Sequence, residues 1–294
     1  MTEQGGEAGT IRIGISSWGS LPGFYPSGVK AEEKLVWFSR FFSIVEVNVS
    51  FYRLVNPETY AHWAEITAPD FLFDVKALGE LTHFREPPPD ETFAAFRASY
   101  APLRESGRLG CVLFQFPPRF ANTAGARAYL GRVAAEMAGD LTAIEFRNYS
   151  WLAPESAEGT LALLAELGLT YAVADEPQFA NDTVPPLPAV SNPALAYIRL
   201  HGRNADTWYR GGEGGTRYDY DYSAAELQEW AAVATTFADE AREVHIMFNN
   251  NAQGAGTRNA RTLGEMLGIA PEDAPELPPE QPRLFDDGDG VTGV

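Results

Sequence analysis

Cysteine and histidine are scarce in this sequence. The one cysteine, Cys111, cannot form an internal disulfide, which fits a reducing compartment and excludes a disulfide-stapled scaffold. Four histidines in 294 residues, with no His-Glu-x-x-His pair and no cysteine cluster, give no metal-ligand spacing. No apolar run approaches the roughly 18 residues of a membrane span. The polar, acidic start lacks the basic and apolar regions of a secretory signal. The expectation is therefore a cytoplasmic protein with no membrane partner. No Gly-x-Ser-x-Gly elbow occurs, and Cys111 opens its strand instead of ending it, which argues against serine or cysteine nucleophiles. No Gly-x-Gly-x-x-Gly follows a strand, so a dinucleotide fingerprint is absent. Positive charge is also short: Lys and Arg number 22 against 40 Asp and Glu, a net charge of −18. An acidic body repels phosphates, so nucleic acid is disfavoured as a partner.

What is present is a 45% hydrophobic chain, long enough for one large core; barrels of roughly 250 residues form single domains. Short apolar runs alternate with longer helical patterns, the order of parallel strands joined by crossover helices. Strands are expected at 11–17, 44–49, 71–77, 111–116, 143–147, 170–175, 196–201 and 244–249. Eight such strands close a TIM-type (β/α)8 barrel. Pro57 follows Asn56 at a helix start. Asp90 is expected to cap the helix that carries Phe93, Phe96, Tyr100 and Leu103, with Gly107 beyond its end. Ser223 and Glu226 have capping-box spacing. The segment 176–193 is proline-rich without helical period, so the sixth crossover is expected to be irregular. Residues 1–10 read as a flexible N-terminus, 11–270 as the barrel, and 271–294 as an acidic, proline-rich, disordered tail.

A buried parallel strand should be apolar on both faces. These strands turn polar only at their carboxyl ends, in a two-residue rhythm. Glu46 and Asn48 share a face, as do Asp74 and Lys76, Glu145 and Arg147, and Arg199 and His201; Gln115, Asp175 and Asn249 close their own strands. Successive side chains alternate, and the opposite faces are apolar, so the polar faces must point into the barrel. Charges there are costly unless paired or solvated, and the carboxyl-terminal mouth is where barrels bind ligands. The competing reading is a Glu–Arg network that satisfies itself and fixes the register. Trp18, Trp151 and Trp208 follow strands, with Phe51, Tyr52 and Tyr209 in similar positions, which suits stacking on a planar ligand or simply walling the mouth.

Cations near the mouth are Lys76, Arg147, Arg199, Arg203, Arg210 and Arg258, a set suited to carboxylate or phosphate. The glycine-rich run from Arg210 to Gly215 reads as a loop or lid and not as a phosphate cradle, since it lacks the lysine and contains Glu213. Glu46 and Glu145 are the leading general acid/base candidates, with His201 next. Two carboxylates across a barrel would suit glycoside cleavage if suitably separated. A divalent metal on Glu46, Glu145, Asp175 and His201 is conceivable but not favoured; the cofactor and the oligomeric state are not legible.

A series of motifs falls in order along the strand ends. They are Ile11-Arg-Ile-Gly-Ile-Ser-Ser-Trp18 with Phe24-Tyr-Pro26, Val45-Glu-Val-Asn-Val-Ser-Phe-Tyr-Arg53 with Pro57-Glu-Thr, Phe73-Asp-Val-Lys-Ala77 with Leu81-Thr-His83, and Leu113-Phe-Gln-Phe-Pro-Pro118. They continue through Ile144-Glu-Phe-Arg147 with Trp151, Tyr197-Ile-Arg-Leu-His-Gly202, Arg217-Tyr-Asp-Tyr220 with Tyr222-Ser223, and Phe248-Asn-Asn250 with Asn259-Ala260. Ser17 and Val49 depart from the pattern, where glycine and a small polar residue would be expected. Together the motifs resemble those of the DUF72 (YecE-like) family, and the resemblance implies a TIM-type barrel and no particular reaction. Its motifs fall on Glu46, Asn48, Lys76, His83, Gln115, Glu145, Arg147, Arg199, His201, Asn249 and Asn250. The expected function is an enzyme of hydrolase or isomerase type on a small anionic or sugar-like substrate, with Glu46 or Glu145 transferring protons. Arg147, Arg199 and Lys76 would hold the anion, and Asn48, Gln115 and Asn249 would orient it. The alternatives are a non-catalytic small-ligand sensor and a metal-dependent phosphoesterase or nuclease-like barrel.

Overall fold

The computed structural model describes residues 8–209, 216–271 and 274–277. Eight strands close a barrel in sequence order: β1 (Thr10–Ile15), β2 (Ile44–Val47), β3 (Leu72–Lys76), β4 (Leu109–Gln115), β5 (Thr142–Glu145), β6 (Thr170–Asp175), β7 (Ala196–Leu200) and β8 (Glu243–Phe248). Every neighbouring pair is parallel, and β1 closes on β8 over six residues from Thr10 opposite Glu243 to Ile15 opposite Phe248. This is the TIM-type barrel that the alternation of apolar runs and helical stripes requires.

The two faces of the strands bury different things. Outward side chains such as Val45, Val47, Ile144, Ile198 and Leu200 join the helices in one continuous apolar layer. Inward ones form a smaller cluster of Ile44, Cys111, Leu113, Ala143, Tyr197 and Met247. That inner cluster does not fill the barrel; Glu46, Asp74, Glu145, Arg199 and His245 are buried with it. Apolar side chains thus occupy only part of the interior, and charged ones complete it.

Helix ends follow local chemistry. In Ala224–Glu240 the Ser223 hydroxyl accepts from the Glu226 N–H, while the Glu226 carboxylate accepts from the Ser223 N–H, the capping box of the sequence. Gly168 takes a left-handed φ of 68° after the helix Ala157–Glu166. Between β6 and β7 the chain forms no helix, as the prolines demand. Two details differ from the sequence reading. Asp90 is the first helical residue and not the cap; Pro89 holds the cap position without a side-chain bond, and the Asp90 carboxylate accepts instead from Arg132. The stripe Phe93, Phe96, Tyr100 and Leu103 is fully buried, but it spans two helices, Asp90–Ser99 and Ala101–Glu105, because Pro102 has no N–H to continue the ladder.

The expected boundaries also shift. Gly9 donates to the Ala238 carbonyl at 2.7 Å and Thr10 begins β1, so both belong to the barrel. Ala274 and Leu277 pack against the outer apolar layer, so the segment after Pro271 is not wholly detached. Residues 1–7, the run 210–215 with Arg210, and 278–294 lie outside the described residues. Among the described residues, no helix is long and apolar enough to cross a membrane.

Candidate functional site

The carboxyl ends of β2, β5 and β7 place Glu46, Glu145 and Arg199 in the closed interior, each with almost no exposed surface. Arg199 forks onto both acids. Its Nε and Nη2 donate to Glu46 at 2.9 and 2.7 Å, and its Nη1 donates to Glu145. Tyr197, two residues earlier on the same face of β7, donates its hydroxyl to Glu46 at 3.3 Å. Arg147, just beyond β5, donates to the other Glu145 oxygen and to Glu176. Planar guanidinium forks suit this sharing, since each donor direction meets its own acceptor.

His201 completes the chain. Its Nε2 lies 2.6 Å from Arg147 Nη2 and 3.3 Å from Glu145 Oε1. Burial and then the Arg147 charge push its pKa down to about 3, against the pull of Glu145, so the ring is neutral at ordinary pH. Arginine always donates, so Nε2 accepts and Nδ1 carries the proton. The side-chain amide of Asn249, 3.0 Å from Nδ1, then meets it through the oxygen, one of the two orientations a terminal amide can take. Burial pushes the Glu145 carboxyl up, but Arg147 and Arg199 outweigh it and hold the pKa well below the usual carboxylate range. Glu145 is therefore a fixed negative charge. Burial raises the Glu176 pKa, against the pull of Arg147.

Above this sealed layer lies a partly accessible rim of Asn48, Lys76, Gln115, Arg147 and Asn249. Asn48 donates to the Ser16 carbonyl, and Gln115 donates to its neighbour Phe116 at 3.0 Å. Lys76 ends β3. Its Nζ sits 4.8 Å from the centre of the Phe51 ring. Among the described residues no carboxylate lies within ion-pair distance of it. Burial and the Arg199 charge lower its pKa, Glu46 and Glu145 raise it, and Arg147 lowers it, leaving it at about 8. His83 meets Phe51 edge to face, ring centres 4.9 Å apart. Burial, Lys76 and Arg119 bring the His83 pKa down to about 4. Trp208 covers the opposite side of the mouth, its ring 5.8 Å from the Arg147 guanidinium and 5.3 Å from that of Arg217.

Other expected site residues lie elsewhere. Trp151 is fully buried between Phe146 and Phe120 and donates Nε1–H to the Phe120 carbonyl at 2.7 Å, so it packs the wall and does not face the mouth. Tyr52 is 80% exposed and lines a groove of about 620 Å³ with Phe51, Gly79, His83 and Phe84 on the outer flank of the mouth. Asn250 is buried and donates to the Tyr220 carbonyl and to Asn259, which fixes a loop. Trp18 rests edge-on against Trp63 at 4.8 Å. Asp175 faces Arg203 and the Tyr222 hydroxyl. Burial raises its pKa against both partners. Glu176, Tyr197 and Tyr222 are not among the site residues expected from the sequence, although Tyr197 and Tyr222 lie in its motifs. Tyr197 shares the two-residue rhythm with Arg199, a signal that counted it as apolar; Glu176 stands outside the rhythm because it follows Asp175 directly.

Two chemistries lose their footing. Carboxylates that cleave a glycosidic bond flank an open space, whereas the Arg199 guanidinium fills the space between Glu46 and Glu145. The four-residue metal set is not assembled, since Asp175 is engaged by Arg203 and Tyr222. Asp74, Cys111 and His245, lower in the barrel, do bring one ligand atom each within 4.8 Å. There Asp74 accepts from the Cys111 N–H at 2.9 Å and contacts His245 Nδ1 at 3.0 Å. Burial and the Asp74 charge raise the Cys111 pKa well above its usual range, so the thiol stays protonated; a metal would have to displace that proton.

Residues 12–283 match the family model described as "Protein of unknown function DUF72". The chain is similar to the UPF0759 protein YunF of Bacillus subtilis (strain 168), with 34% identity over 94% of this chain and the whole of that one. It is also similar to the solved structure of a DUF72 family protein from Enterococcus faecalis V583, with a TM-score of 0.78 at 28% identity, over 90% of this chain and 99% of that one. A DUF72 family protein from Thermotoga maritima MSB8 gives 0.79 at 30% identity, over 88% and 99%.

Arg199→Met strands the buried Glu46 and leaves Glu145 to Arg147 alone, and should cost about 3–5 kcal/mol of unfolding free energy by urea titration; a loss below about 1 kcal/mol would mean the fork is not what holds Glu46. His201 is neutral in the folded state and takes up a proton on unfolding below the ordinary histidine value of 6.5. Its contribution is therefore fully present above that pH and declines as pH falls toward about 3. Urea titrations at several pH values should find His201→Gln losing stability less steeply between pH 6.5 and 5; equal slopes would assign the acid sensitivity elsewhere.

Proposed function

The chain belongs to the DUF72 family, and on that premise we propose that it is an enzyme of hydrolase or isomerase type acting on a small anionic or sugar-like substrate at the carboxyl-terminal mouth of its barrel. The observation that carries this reading is the accounting of charge at the mouth. Arg199 is taken up by Glu46 and Glu145, Arg147 by Glu145 and Glu176, and Arg203 by Asp175 and Glu226. Lys76 alone among these cations is held by no carboxylate among the described residues. A cation at a partly accessible rim, with no carboxylate occupying its N–H donors, can pair directly with an anion. Asn48, Gln115 and Asn249 supply neutral donors and acceptors around it, and Trp208 supplies a ring face on the far side.

The roles differ from those first expected. Glu145 acts as a fixed charge, and Glu46 is bound on both oxygens by Arg199. Proton transfer is assigned instead to Lys76, whose amine titrates within reach of neutral pH. The same site without turnover would be a ligand sensor, and recovery of the ligand unchanged would point there.

A thermal-shift screen with carboxylates, phosphates and sugar phosphates tests this. A ligand at 100 times its Kd adds about 2.7 kcal/mol, roughly 5–10 °C for a domain of this size. The shift should vanish in Lys76→Met. It should also weaken as pH rises through about 8, where Lys76 loses its charge. An equal shift in Lys76→Met would place the anion elsewhere.

A further inference from the structure

The chain meets nearly all its need for positive charge with arginine. Of its 22 basic residues, 19 are arginine and three are lysine: Lys30, Lys34 and Lys76. Lys30 is exposed. Lys34 donates to the Gly19 carbonyl at 2.6 Å and lies over the Tyr25 ring at 5.0 Å. The third lysine stands at the barrel mouth, where among the described residues Arg147, Arg199 and Arg203 hold Glu46, Glu145, Glu176, Asp175 and Glu226. Arginine and lysine differ in one chemical respect that matters here. A guanidinium cannot shed its proton in a protein, whereas an ammonium can, and the resulting amine is a nucleophile.

The surroundings of Lys76 favour that amine. Its Nζ rests on the face of Phe51 at 4.8 Å, a contact that by itself suits the ammonium, but burial outweighs it and disfavours the charge. The Arg199 and Arg147 charges disfavour the ammonium, and Glu46 and Glu145, which would favour it, are already bound by those arginines. Desolvation and nearby cations are the two means by which a lysine is made nucleophilic. A lysine meant only to hold an anion needs neither.

We infer that Lys76 forms an imine with the carbonyl carbon of a small aldehyde or ketone bearing an anionic group. This rests on the mouth being the substrate site, and it names the substrate class. The neutral amine adds to the carbonyl carbon, forming C–N, while the C=O π pair moves to oxygen and is protonated. The carbinolamine then loses its hydroxyl as water with one further proton. The nitrogen gives up one of its own protons and keeps the positive charge as an iminium. The net reaction consumes the amine, the carbonyl compound and one proton, and yields the iminium and water. The iminium retains the charge that no carboxylate of the mouth meets, so it still pairs with the anionic group of the substrate. It also withdraws electrons from the adjacent carbon, the requirement for isomerisation by proton abstraction beside a carbonyl.

The test is reductive trapping on the full chain. Protein is incubated with glyoxylate or pyruvate and sodium borohydride, and the three lysine-containing peptides are compared by mass spectrometry. Lys76 should be modified at least tenfold faster than Lys30 and Lys34, and Lys76→Arg should abolish that labelling while Lys30 and Lys34 react as before. The wild-type ratio is informative even if the variant does not fold. Equal labelling of the three lysines, or none at Lys76, overturns the imine. If anions still raise the melting temperature through Lys76, the anion site survives that result; if they do not, both fall.

Discussion

Arg199 reaches across the closed interior from β7 and holds Glu46 of β2 and Glu145 of β5 at once. Three ionised groups with almost no exposure carry a desolvation cost that only close, multiple hydrogen bonds offset. The fork ties strands 153 and 54 residues from Arg199 in sequence. It therefore fixes the barrel's register as well as its charge. An apolar filling of the same volume would stabilise equally well or better, so the fork's further effect is electrostatic.

That effect propagates outward. With Glu145 committed to Arg199 and Arg147, its pKa is driven down, and it stops being a proton carrier. With His201 buried and Arg147 donating to it, the imidazole is kept neutral. Both groups that chemistry would first suspect are thereby fixed in one protonation state. Lys76 remains at the rim, where burial and then the Arg199 charge loosen its proton against the pull of Glu46 and Glu145, and no carboxylate among the described residues pairs with it.

Much of this was legible in the sequence, for identifiable reasons. Apolar runs such as Tyr171 to Ala174 are buried on both faces, so their composition reports a parallel barrel. The prolines of 176–193 reported the missing helix. The alternation that put Glu46, Glu145, Arg147, Arg199 and His201 at one end also put them inside, and the structure brings these together. Trp151 could not be placed, because an indole after a strand can line a mouth or a wall. What decides it is a hydrogen bond to the carbonyl of Phe120, 31 residues away. Nor could the isolation of Lys76 be read, since it depends on which arginine engages which acid across the barrel. Strand ends were drawn too long; the ladder stops at Glu145 and Leu200, so Arg147 and His201 lie just past it and turn toward each other.

The central claim is that the buried fork leaves Lys76 as the distinctive base of the mouth. The most direct measurement is an NMR titration of the protein after reductive ¹³C-methylation of its three lysines. The Lys76 signal should titrate near 8, well apart from Lys30 and Lys34, which should titrate close to the ordinary lysine value of about 10.4. Three coincident titrations at the ordinary value would contradict the account, because Lys76 would then be an ordinary surface cation.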